Sequence, residues 1–306
     1  MNQEESDLFI ITEEEAGERL DKILANRFKE DQSRTYFQHL IEEELVLLNG
    51  QPVKKRIKPQ VGDEVEIEFA LTPEIDLKPE DLPLEILHED EHLLAINKAS
   101  GMVVHPAPGH WTGTFVNALL HYCEHLPVTP DNLRPGIVHR LDKDTSGVLL
   151  AAKTAWMQQK LIEAFASRKV YKEYLAVCVG NPGEGEIDAP IGRHPVHRKR
   201  MAILPTGRRA ISYCHTLAWN GRLSLVKIVI ATGRTHQVRL HLKHRGAPVL
   251  GDDLYGLPQT NQHYSVTRQL LHAHILRFVH PVTGNEIEIK APLPQDMVEI
   301  IKKQLS

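Results

Sequence analysis

Apolar positions along the chain follow two rhythms. From Glu18 they recur at Leu20, Ile23, Leu24 and Phe28, a spacing that predicts a helix. Tyr36, Phe37, Leu40 and Ile41 predict a second helix, with Ser33 as its N-cap. The period then shortens to two. Val46–Leu48 reads as a strand and Asn49-Gly50 as a tight turn. Val65-Glu-Ile-Glu-Phe69 alternates like a strand with one wet face. Thr72–Pro83 holds three prolines, scattered acids and no period, so it reads as a linker. Beyond it, Leu84–His88 and Leu93–Asn97 predict paired strands. Phe115, Leu119 and Leu120 predict a helix capped by Thr112 or Thr114. Ile137-Val138 and Val148–Ala152 read as strands on either side of a polar turn. Thr154–Ala166 predicts an amphipathic helix with Met157, Leu161, Ile162 and Phe165 on one face. Val170–Val177 and Leu223–Ala231 predict strands, separated by a long Gly/Pro/His-rich loop over Gly180–Arg200. Val238–Lys243 predicts a helix closed by Gly246, and Met297–Leu305 a last short one.

Composition narrows the class. The 306 residues are 42% apolar and 25% charged, enough for real cores in a soluble chain of two domains. No apolar run reaches membrane-spanning length. Met-Asn-Gln-Glu-Glu-Ser-Asp at the N-terminus is unlike a secretion signal and reads as the start of a mobile acidic leader over residues 1–15. Three widely spaced cysteines fit no disulfide framework, so a reducing cytoplasm is expected. The net charge of −4 hides strong patches. Base gathers at residues 54–58, 193–200, 208–209 and 234–245, and local patches set the field that a phosphate backbone meets. Histidines are many, but none sits in a metal-binding spacing.

The polar turn carries the candidate chemistry. Between the flanking apolar runs lie His139-Arg-Leu-Asp-Lys-Asp-Thr-Ser-Gly147. A carboxylate hemmed by cations on a loop between rigid strands is how sites are commonly built. The same residues alone would also make a well-capped turn. The string His-Arg-Leu-Asp-x-x-Thr-Ser-Gly resembles the catalytic signature of the RluA/RluD family of RNA pseudouridine synthases. Further likenesses run from about residue 84 to 294: Lys98-Ala-Ser-Gly-Met-Val-Val-His-Pro106, with Ala99 where the family usually has Pro; Lys172-x-Tyr174-x-Ala; Thr232-Gly-Arg-Thr-His-Gln237; Gly251-Asp-Asp-Leu-Tyr-Gly256; and His280-Pro-Val-Thr-Gly284. With Val103–His110 the pattern looks closest to the RluD branch. Gly17-Glu-Arg-Leu-Asp21, Asn49-Gly50 and Val61-Gly-Asp63 resemble the alpha-L RNA-binding module shared with a small-subunit ribosomal protein.

The resemblance implies an α+β protein: the acidic leader, a small α+β RNA-binding domain over residues 16–71, the linker over 72–83, and a catalytic domain over 84–306 around a mostly antiparallel mixed sheet. It implies conversion of uridine to pseudouridine in RNA, large-subunit ribosomal RNA above all, by a cytoplasmic monomer with no metal, cofactor or membrane partner. Asp142 would be the catalytic carboxylate. Attack on ribose carbon 1′, attack on the base, and removal of the 2′ proton all remain open for it. Arg234, at a strand-to-helix junction capped by Thr235, is expected to keep Asp142 ionised, with Arg239 as second choice. Arg140 would fill the gap left by the extruded base, and Tyr174 would stack on the uracil. Arg19, Lys54, Lys55, Arg56, Lys58, Arg198 and Arg200 are the expected RNA contacts. Two other readings compete: an RNA-binding protein without activity, and a base-removing glycosidase using Asp144 as second carboxylate.

Overall fold

The computed structural model describes residues 5–28, 34–54, 56–69, 77–106, 110–123, 126, 134–195 and 200–305. The expected N-cap Ser33 and the expected RNA contacts Lys55 and Arg198 lie outside these residues.

The first domain contains β1 (Glu5–Ile10), α1 (Leu20–Arg27), α2 (Arg34–Glu42), β2 (Val46–Leu48), β3 (Gln51–Pro52) and β4 (Glu64–Phe69). The strands form an antiparallel sheet in the order β1-β4-β2-β3. Both predicted stripes face its core: Leu20, Ile23, Leu24, Tyr36, Phe37, Leu40 and Ile41 pack on Val46, Val65 and Ile67. Asn49 and Gly50 take φ of 51° and 77°, the left-handed pair a two-residue hairpin requires. The acidic leader needs correction. Residues 5–10 are a strand, in register with β4 from Glu5↔Phe69 to Ile10↔Glu64. Counting acids hid the apolar Leu8-Phe9-Ile10-Ile11; Ile11 is fully buried and Phe9 packs on the core under the Arg27 guanidinium. Trp111, from the other domain, joins this core beside Tyr36 and Phe69.

The second domain contains β5 (Ile86–Glu89), β6 (Leu93–Lys98), α3 (Phe115–Tyr122), β7 (Ser146–Ala152), α4 (Ala155–Ala166), β8 (Tyr171–Val179), β9 (Gly185–Asp188), β10 (Ile191–Arg193), β11 (Met201–Ile203), β12 (Ile211–Trp219), β13 (Leu223–Ile230), α5 (Gln237–His244), α6 (Pro258–His263), β14 (Leu271–Val279), β15 (Glu286–Lys290) and α7 (Gln295–Gln304). One large sheet runs β5-β6-β7-β14-β8-β13-β12-β9, with β15 beside β14. Among the described residues, only the β7–β14 pairing is parallel. β7 is buried along its whole length, as a central strand covered on both faces must be. Thr114 rather than Thr112 caps α3, in a reciprocal capping box with Asn117. Thr154 caps α4, which buries Met157 and Leu161 and leaves Ile162 exposed. Each of the two buried side chains contributes about 1.5–3 kcal/mol.

Two expectations fail locally. Ile137-Val138 forms no strand, only a single bridge from Ile137 to Ala151, because the chain turns at once into the polar loop. The loop over Gly180–Arg200 contains β9 and β10, the first of which closes one edge of the large sheet.

Candidate active site

The signature loop, residues 138–145, is fastened at nearly every step. The His139 imidazole accepts the Leu150 N–H at 2.9 Å and stacks on Phe165. Burial pushes its pKa down to about 3, so it stays a neutral acceptor. Leu141 is buried among Phe115, Leu149 and Ala273. The Lys143 carbonyl accepts from the Gly101 N–H and from Lys98 Nζ, at 2.9 and 2.8 Å. The Asp144 carbonyl accepts from Ser100 and Arg268. Ser146 Oγ bonds His272 Nδ1 at 2.9 Å. Lys98 itself is fully buried, and its three N–H groups go to the carbonyls of Ala99, Met102 and Lys143. Burial pushes its pKa down to about 7, against the pull of Asp142 and Asp144.

The second residue of β7 meets β14 at close range. A Cβ on Gly147 would sit 2.1 Å from the Ala273 carbonyl oxygen, so only glycine fits the parallel pairing there. One row then crosses the sheet: Gly147 opposite Ala273, Ala273 opposite Tyr174, Tyr174 opposite Ile228. The two small residues leave room beside the Tyr174 ring. This row is what brings a tyrosine from β8 next to a loop that precedes β7.

Asp142 is one-fifth exposed, and Arg239 Nη1 donates to its Oδ2 at 3.1 Å. Arg239 is itself nearly sealed. Its Nε and Nη2 donate to both oxygens of Asp252, at 2.7 and 2.9 Å, and its guanidinium lies over the Tyr255 ring. Burial opposes a charge on Asp142. Facing it are His236, were its ring protonated, and the guanidinium groups of Arg239 and Arg140; the cations win and hold the carboxyl below its usual range. The arginines carry this effect at neutral pH, because burial lowers the pKa of His236 too. Tyr174 is pushed the other way, by burial and by the Asp142 charge, and remains a neutral phenol. Asp142, Tyr174, Arg140, Arg234, His236 and Arg239 line one cleft.

The expected Asp142–Arg234 pair is therefore corrected to Asp142–Arg239. Arg234 lines the cleft but turns its Nε to the Arg209 carbonyl. The reason is local. The helix starts three residues later than the Arg, at Gln237, and Arg239 lies in its first turn, facing inward. Thr235 is not the cap either. His236 occupies that position in a left-handed conformation (φ 56°), and the Gln237 side chain takes the Arg234 N–H. Asp144 does not line the cleft, which leaves Asp142 as its carboxylate.

Among the expected RNA contacts, Lys54, Arg56, Lys58 and Arg200 are exposed. Arg19 is not a free cation. It clamps the fully buried Asp21 at 3.0 and 2.9 Å, together with Arg34 and Gln38. Lys98, His236, Asp252 and Tyr255 were given no role from sequence. The signal for His236 and Arg239 was their three-residue spacing at a helix start, which puts both on one side. A larger concavity of about 530 Å³, lined by Asn220, Arg222, His263 and Lys303 among others, shares no residue with this cleft. Among the described residues no helix is long and apolar enough to cross a membrane.

The chain is similar to known proteins. The family described as RNA pseudouridylate synthase matches residues 92–244, and the S4 domain family matches residues 18–65. The chain is 42% identical to the uncharacterized RNA pseudouridine synthase YlyB of Bacillus subtilis, over 95% of each chain. It is 40% identical to the ribosomal large subunit pseudouridine synthase D of Escherichia coli K12, over 95% of this chain and 92% of that one. Among solved structures, human RNA pseudouridylate synthase domain containing 4 is similar, with a TM-score of 0.56 and 26% identity over 72% of this chain and 94% of that one.

Proposed function

We propose a function from one premise: this chain belongs to the RNA pseudouridylate synthase family, with an S4 domain before the catalytic fold. Its reaction is the isomerisation of uridine to pseudouridine in RNA, and its substrate is large-subunit ribosomal RNA. The observation that carries this reading is the ionised Asp142 paired with a sealed Arg239 in a cleft that Tyr174 also lines. The substrate class rests on the 40% identity to an enzyme named for the ribosomal large subunit.

The chemistry follows from the residues. The glycosidic bond from carbon 1′ to nitrogen 1 breaks, the base turns, and carbon 5 bonds to carbon 1′ while losing its proton. No net oxidation takes place. Asp142, kept ionised, acts on the sugar or the base. Tyr174 offers a flat neutral ring to the extruded uracil, with stacking of about 1–3 kcal/mol. Arg140, two residues before the carboxylate, lines the same cleft and fills the vacated stack with a planar cation. Lys54, Arg56 and Lys58 hold phosphates without reading sequence.

The test is direct. Purified protein is incubated with a large-subunit ribosomal RNA transcript, which is then treated with carbodiimide and read by primer extension. Wild type should produce stops at one or a few uridines, and Asp142→Asn none, with RNA affinity kept. A wild-type protein that modifies no uridine overturns the isomerase reading. Released free uracil would instead favour the glycosidase.

A further inference from the structure

The geometry points to a further group that acts on the substrate: His236, through its Nε2–H, donates a hydrogen bond to a carbonyl oxygen of the extruded uracil. This rests on the isomerase reading and deepens it.

Hydrogen-bond bookkeeping leads there. Tyr255 is buried, 4% exposed, and its hydroxyl is already engaged. It accepts the Met201 N–H at 2.8 Å and lies 2.8 Å from His236 Nδ1. If it also accepted from an Nδ1–H, its own buried proton would go unmatched, at a cost of about 1–3 kcal/mol. The satisfied arrangement has Tyr255 donating to Nδ1. A neutral ring then carries its proton on Nε2. Nε2 bonds no described residue and is not among the buried unmatched atoms, and His236 lines the cleft with Asp142 and Tyr174. The charges around the ring are Asp142, Asp252, Arg239 and Arg140. Burial keeps the ring neutral, as the donor role requires. The backbone at 236 is left-handed, an uncommon state for a non-glycine residue that holds this ring over the cleft.

A donor here suits every route open to Asp142. Attack on carbon 1′ forms a C–O bond and expels the base with the glycosidic electron pair. Removal of the 2′ proton by Asp142 forms a C1′=C2′ double bond and expels the base with the same pair. Attack on carbon 6 pushes the ring π electrons onto O4. Each leaves negative charge on O2 or O4, where a fixed donor stabilises it. No proton changes hands in this contact.

Two variants at one position separate this role from a structural one. Gln reaches the place of Nε2 with an N–H; Asn reaches only Nδ1, but tolerates the left-handed backbone better. Single-turnover pseudouridine formation should fall about 10- to 100-fold in His236→Asn and stay within about threefold in His236→Gln. A backbone role predicts the reverse order, and that order would overturn the proposal. On RNA carrying 5-fluorouridine at the target, which has no carbon-5 proton to lose and whose base anion is intrinsically more stable, the readout is consumption of 5-fluorouridine in nuclease digests; there the Asn defect should shrink, and an undiminished defect would count against the proposal. Nitrogen-15 spectra of histidine-labelled wild-type protein need no variant. An Nε2–H tautomer is expected, and an Nδ1–H tautomer would refute the assignment. If wild type forms no pseudouridine, the isomerase reading fails by itself. If wild type is active and His236→Asn matches it, only this inference fails.

Discussion

The cleft and the basic run of the first domain both depend on charge, and they use it in opposite ways. In the cleft, Arg239 is almost sealed from water and serves two carboxylates at once. Lys54, Arg56 and Lys58 stand in solvent. A buried pair in low dielectric is strong, directional and costly to break. An exposed cation is screened within about 8–10 Å, so it attracts phosphate without fixing geometry. The cleft is built for position and the basic run for attraction. Asp21 shows both styles within the first domain: fully buried, it draws Arg19 and Arg34 inward, away from any role as free cations.

This contrast breaks most sharply at Arg239. Arg239→Leu leaves Asp142 and Asp252 buried without their partner, and should cost about 3–5 kcal/mol of stability as well as turnover. Thermal melting and the pseudouridine assay would check both. Arg239→Lys should recover part of the stability and little of the turnover, since an ammonium cannot bridge two carboxylates as a planar fork does. A variant melting with wild type would mean that the pair is worth no more than a surface bridge.

Lys98→Met comes next. It leaves three loop carbonyls without their shared donor and should cost about 1–3 kcal/mol. The sign of its pH dependence follows from burial. The folded pKa of about 7 lies below the ordinary 10.5, so between these values the unfolded chain binds a proton that the folded one does not. Wild type should therefore gain stability relative to the variant as pH rises through that window. Urea melts at a series of pH values would show a widening gap; a narrowing gap would contradict it.

A smaller effect is expected from pH on rate. Asp142 is held ionised and His236 neutral, both with pKa values below their ordinary ones, and Tyr174 stays protonated. Single-turnover rates should be flat from about pH 7 to 8. A tenfold rise across that interval would show a titrating group in the reaction and would count against this electrostatic picture.

The smallest effect belongs to the basic run. Removing the charges of Lys54, Arg56 and Lys58 together should weaken RNA binding at every sequence alike. The slope of log affinity against log salt should fall by about 0.7–0.9 per lost phosphate contact. An unchanged slope would place the phosphates elsewhere on the protein.

Sequence alone determined a good deal. Periodicity located α1, α2, α4 and strands β2, β4 to β8 and β13, because burial of one face is a local pattern repeated along the element; β12 and β14 went unread. Asn49-Gly50 declared its turn, because so few residues accept a positive φ. The signature string marked Asp142 and Arg140. What it left undecided was pairing across space. Arg234 and Arg239 are equally basic in sequence; the start of α5 at Gln237 turned one toward Asp142 and left the other at the rim. Residues 5–10 looked like a solvated leader until β4 offered them an edge. The Tyr174 ring reached the loop only through the row Gly147–Ala273–Tyr174. Asp252, Tyr255 and His236 acquired roles from the same convergence. Local propensities act over a few residues and are written along the chain. An ion pair 97 positions apart depends on which two surfaces the sheet brings within 3.1 Å, and only the folded sheet decides that.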